Sequence, residues 1–156
     1  MANVLMKHWQ RLNALPAGKF WFSKLFGWMV PYTGSISPRV EELRPGYARV
    51  SIRDRRRLRN HLRSVHAIAL MNLGECVTGL AMTAQLPANA RAIITNLSME
   101  FLKKARGPIT ATCNCPPVEG IQETEDLHIE SLLTNQQGEE VARAKAVWRV
   151  GIQQKT

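Results

Sequence analysis

The run from Val65 to Ala84 limits what this chain can fold into more than any other stretch. It contains no proline and one charged side chain, Glu75. Leu70, Leu73, Val77 and Leu80 recur at helical spacing, with small and apolar residues between them. A helix apolar on all sides is buried, and a buried helix needs cover on most of its circumference. A curved sheet wrapped around it meets that need. The spacing predicts a helix over Val65–Ala84, with Ser64 as N-cap and Pro87-Ala-Asn closing it off.

Around that helix the periodicity is different. Ala48, Val50 and Ile52 alternate with Arg49, Ser51 and Arg53, a half-buried strand starting at Gly46. Further strands are expected at Leu97–Phe101, Ile109–Cys115, Leu127–Leu133 and Val141–Ile152, with a hairpin turn at Asn135-Gln-Gln-Gly138. Before residue 46, two short amphipathic helices are expected, over 2–15 and 20–29, split by Pro16-Ala-Gly18. The order is helices, strand, one long helix, then an antiparallel meander. That is an α+β chain of one domain, 1–156, with a helical extension over 1–45 and a core over 46–152.

The chain carries 21 Lys and Arg against 12 Asp and Glu, a net charge of +9 and a pI near 10.1. An anionic partner is implied: nucleic acid, an anionic membrane surface or a phosphate-bearing carrier. The basic runs lack interleaved aromatics and match no nucleic-acid motif, so no nucleic acid is expected. Three cysteines without a secretory signal point to a reducing cytoplasm. Cys113 and Cys115 are spaced i, i+2, which is not a zinc-ligand spacing, and no metal is expected. No apolar run reaches the roughly 18 residues of a membrane span.

The chemistry-bearing residues cluster at the start of the long helix. Asn60 lies six residues before His66, Ala67 and Ile68 follow the histidine, and Glu75 lies nine after it. This pattern resembles the hotdog-fold thioesterases, in the branch of the phenylacetate-pathway and 4-hydroxybenzoyl-CoA enzymes. Their motif is Asn or Gln, then six on a His-Gly-Gly, then Asp or Glu nine after the histidine. Phe101-Leu-Lys-Lys-Ala-Arg-Gly107 is similar to that family's strand end. Both motif glycines are replaced here. Ala67 keeps its backbone N–H, while Ile68 narrows the approach.

The resemblance implies a hotdog fold, a long central helix wrapped by a curved antiparallel sheet, here with extra N-terminal helices. It also implies hydrolysis of acyl-CoA or acyl carrier protein, with coenzyme A part of the substrate and no further cofactor. Glu75 would activate water as general base or, less readily, attack as nucleophile. The Ala67 N–H at the helix N-terminus would stabilise the oxyanion. Asn60 would orient water or carbonyl, and His66 would hold the turn. Ile68, Thr78 and Gly79 would line the substrate site. Lys103, Lys104 and Arg106 would meet the phosphates of coenzyme A or of a carrier's phosphopantetheine.

Ala67 and Glu75 are eight residues apart, about 12 Å along the helix and roughly 80° around it. One helix hardly brings both to one carbonyl; two antiparallel copies across a two-fold axis do. A homodimer with composite sites is therefore expected, and the family adds a dimer of dimers. The alternatives are a non-catalytic acyl-binding protein of the same fold, a dehydratase and a nucleic-acid binder. His61, His66 and His128 offer no dehydratase pattern. The N-terminal helices read either as a cap packed on the core or as a lid or membrane contact.

Overall fold

The computed structural model describes residues 3–118, 121 and 123–152. Helices α1 (Val4–Asn13), α2 (Gly18–Met29) and the single turn α3 (Pro31–Gly34) come first. Strands β1 (Arg39–Arg44) and β2 (Tyr47–Ile52) follow, then the central helix α4 (Ala67–Thr83). Strands β3 (Ala90–Phe101), β4 (Ile109–Asn114), β5 (Glu125–Thr134) and β6 (Glu140–Ile152) complete the sheet.

All pairings are antiparallel, in the order β1-β2-β4-β5-β6-β3. The strands after α4 are thus not one continuous meander. β3 leaves for the far edge and pairs with β6, while β4 returns to pair with β2. The sheet curves around α4, which packs on β2, β4, β5, β6 and β3.

The inner face of α4 is dry. Leu73 and Val77 have no exposed surface, each burial being worth about 1.5–3 kcal/mol. At Gly74 the helix meets the sheet most closely: an added Cβ would lie 2.6 Å from the Ala144 Cβ. The expectation of burial on every side is corrected along one stripe. Ile68, Met71 and Glu75 stay partly open, because that side of α4 faces α3 and the edge strand β3 across a groove.

The start of α4 also differs from expectation. Val65 N–H donates to Ala105 O at 2.7 Å and His66 N–H to Leu58 O at 2.7 Å, which holds both residues extended. The cap is therefore His66, whose Nδ1 accepts from Ile68 N–H at 3.1 Å. Ser64 is buried, and its Oγ has no partner among the described residues.

The N-terminal helices pack on this core through Met6, Trp9 and Phe22, the two aromatic rings meeting edge-to-face at 5.0 Å. Asn3 caps α1 by accepting from Met6 N–H, and its amide donates to Thr83 O at the end of α4 and to Leu86 O just beyond it. Ser23 Oγ accepts from Val40 N–H at 2.9 Å, joining α2 to β1.

Candidate active site

The connection from β2 to α4 is built around Asn60. Its Oδ1 accepts from Leu62 N–H at 2.9 Å and from Ser64 N–H at 3.1 Å. Its backbone N–H donates to Ser64 O at 2.8 Å, closing a tight turn in which Arg63 takes a positive φ of 55°. Asp54 braces the same segment, accepting from Arg59 Nε at 2.7 Å and from Gly107 N–H at 3.0 Å. The Arg59 guanidinium, together with that backbone bond, holds the Asp54 carboxyl below its usual range. Asn60 thus spends its oxygen on the turn and keeps its amide N–H groups for anything that approaches.

At the start of α4, Ile68 N–H is taken by His66 Nδ1, while Ala67 N–H has no acceptor among the described residues. A free N–H at a helix N-terminus sits at the positive end of the macrodipole and suits an anionic oxygen. Asn60 and Ala67 share a groove of about 340 Å³ with Phe101, Leu102, Lys103 and Lys104. Lys103 Nζ is paired with Glu139 at 2.7 Å; Lys104 and Arg106 make no ion pair among the described residues.

Glu75 lies in a second groove of about 580 Å³, between the open stripe of α4, Tyr32 and Thr33 of α3, and Ile94–Leu97 of β3. Its carboxylate makes no hydrogen bond or ion pair among the described residues. Burial without a compensating cation pushes its pKa up, so the proton is held more tightly than on an exposed glutamate. Ile68 stands in the same groove, half exposed.

Thr78 points the other way. It is fully buried, donating to Glu75 O at 3.0 Å and accepting from Trp148 Nε1 at 3.2 Å. The Trp148 ring covers Gly79, lying 3.2 Å from where a Cβ would be. The structure therefore brings Asn60, Ala67, Lys103 and Lys104 to one groove, and Ile68 and Glu75 to another. Thr78 and Gly79 pack against the sheet.

Sequence reasoning passed over Asn72, one turn before Glu75 in the same groove. It is buried, donates from Nδ2 to Tyr32 O at 3.2 Å, and leaves Oδ1 without a partner among the described residues. A carboxamide inside an apolar helix was the signal. The cysteines offer no nucleophile here: burial pushes Cys113 up to about 12 and Cys115 up to about 11, and Cys76 higher still.

Residues 18–150 match the family model for a domain of unknown function, DUF4442. The chain belongs to the DUF4442 family. No curated protein matches it. Among solved structures, the genomics target APC5556 is 34% identical with a TM-score of 0.81, over 95% of this chain and 98% of that one. A hypothetical thioesterase from Streptococcus pneumoniae, solved with coenzyme A, is 22% identical with a TM-score of 0.62, over 76% of this chain and 88% of that one. The PaaI protein of the phenylacetic acid degradation operon of E. coli is 18% identical with a TM-score of 0.66, over 86% and 99%. This DUF4442 chain has the hotdog fold.

Proposed function

We propose that this DUF4442 protein hydrolyses acyl thioesters of coenzyme A or acyl carrier protein at sites shared between two copies of the chain. The observation that carries the reading is Glu75: an unpaired, partly buried carboxylate on the open stripe of α4, with its pKa raised. A carboxylate kept from cations and moved toward neutrality is suited to take a proton from water. The thioester carbonyl would lie at the partner's Ala67 N–H, and the Asn60 amide would steady the carbonyl or the water. As water adds, Glu75 takes its proton and the carbonyl oxygen becomes the anion facing Ala67 N–H. Collapse of that intermediate expels the thiolate, which leaves with the proton from Glu75 as the acid forms. Lys104 and Arg106 would meet phosphates of the leaving group. The pneumococcal relative solved with coenzyme A supports this choice of carrier.

A second reading, an acyl-binding protein without catalysis, is favoured by Ile68. Its half-exposed side chain fills space that the resembling enzymes leave to glycine. One assay separates the two: thiol release from acyl-CoAs of graded chain length, wild type beside Glu75→Gln. Release that falls about 10²–10⁴-fold in the variant supports the hydrolase. Acyl-CoA binding with no release by either protein would leave the binding module standing.

A further inference from the structure

Helix α2 presents Trp21, Leu25, Trp28 and Met29 along one face, with 58%, 36%, 79% and 65% of their surface open. Phe22 and Ser23, on the side turned to the core, are buried. Folded chains seldom leave so continuous an apolar stripe uncovered. Tyr32 extends it, 70% exposed, to the rim of the Glu75 groove.

A cavity of about 490 Å³ opens beside the stripe. Phe20, Lys24, Arg39, Arg53 and Arg55 line it. Arg39 is paired with Glu41 at 3.3 Å; Lys24, Arg53 and Arg55 have no acidic partner among the described residues. The sequence around α2 has the same bias. Glu41 is the first acidic residue of the chain, and Lys7, Arg11, Lys19, Lys24 and Arg39 precede it.

We propose that this face docks on an anionic lipid bilayer, with the α2 tryptophans at the interface and the cavity's arginines on lipid phosphates. Tryptophan suits that boundary because its ring is apolar and its N–H is polar. Arginine matches phosphate through two parallel donors. A second copy of the chain fits less well, since a two-fold contact would set Lys24, Arg53 and Arg55 close to their own like charges. No helix among the described residues is long and apolar enough to cross a membrane, so the contact is peripheral. The proposal stands whether or not the chain hydrolyses thioesters.

The test is flotation of the full chain with phosphatidylcholine vesicles and with phosphatidylcholine–phosphatidylglycerol vesicles. Recovery with the anionic vesicles should exceed that with neutral ones by about tenfold and fall steeply with added salt. Tryptophan emission should shift to the blue on binding. The Trp21→Ser/Trp28→Ser and Arg53→Glu/Arg55→Glu variants should each lose about tenfold in recovery, with unchanged melting because all four side chains are exposed. Inorganic phosphate at the lipid-phosphate concentration should not compete, which separates a bilayer from a free anion. Equal recovery with neutral vesicles, or none with either, overturns the proposal. So does a tryptophan variant that changes the oligomer's mass but not its vesicle binding, because a second copy would then cover the stripe.

Discussion

At the scale of single residues, the proposed reaction rests on two groups that ordinary packing would not leave as they are. Glu75 is a carboxylate without a cation, and its raised pKa has two consequences. Activity needs the ionised form, so kcat/KM should rise with pH through a limb above the usual carboxylate range, and Glu75→Gln should abolish that limb. Stability moves in the opposite direction. The folded chain holds this proton to higher pH than the unfolded chain does. Stability therefore falls as pH climbs from about 4.5, the ordinary glutamate value, through the raised pKa, and stays lower beyond it. Glu75→Gln should melt above wild type at neutral pH and converge with it below 4.5. Ala67 offers only a backbone N–H, and proline removes that group alone. Ala67 is the first residue of α4, and His66 before it has φ −63° and ψ 141°, which a following proline accepts. Ala67→Pro should fold normally, with a melting temperature near wild type, and lose about 10²–10³-fold in kcat. A full-rate Ala67→Pro enzyme would remove this N–H from the mechanism.

At the scale of elements, α4 is positioned by Gly74. Alanine at Gly74 would ordinarily gain up to about 1 kcal/mol of helix propensity. Here its Cβ would meet the Ala144 Cβ, held on β6, at 2.6 Å. The clash should win, giving a net loss of about 1–3 kcal/mol by chemical denaturation and lower activity as the stripe shifts. A neutral Gly74→Ala would show that the helix can lift off the sheet. The elements that sequence made legible are those with unbroken periodicity: β2, β6 and the body of α4. β1 was missed because a bulge between Val40 and Glu42 puts two residues outward between buried Val40 and Leu43, which breaks the alternation. The first half of β3 was hidden the same way, by a register shift between Ile94 and Asn96. The cap at His66 was misread because histidine is no preferred N-cap, and the bonds that hold it extended come from Leu58 and Ala105. Ile68 and Glu75, which the structure places in one groove, were named by the motif spacing. Tyr32 and Asn96 were not legible, because only the fold brings α3 and β3 beside α4, and Asn72, on α4 itself, was passed over inside an apolar run.

At the scale of the whole molecule, the proposed mechanism needs groups that one chain holds apart. Asn60 and Ala67 open to one groove and Glu75 to another. β3 adds a reason for pairing. It is an edge strand of the sheet, twelve residues long, with Ile93 and Phe101 65% and 51% exposed. An edge of that length and character is a template for a second chain. If two copies join across a two-fold axis, each site takes its oxyanion donor from one and its base from the other. This can be tested with variants already described. Glu75→Gln and Ala67→Pro chains should each be nearly inactive alone. Co-expressed at equal levels, half of the dimers should be mixed, and each mixed dimer should contain one site with both native groups. Activity should therefore return to about a quarter of wild type per chain. A mixture no more active than its parents would show that each chain keeps its own base and oxyanion donor, and that the two grooves do not meet across a dimer.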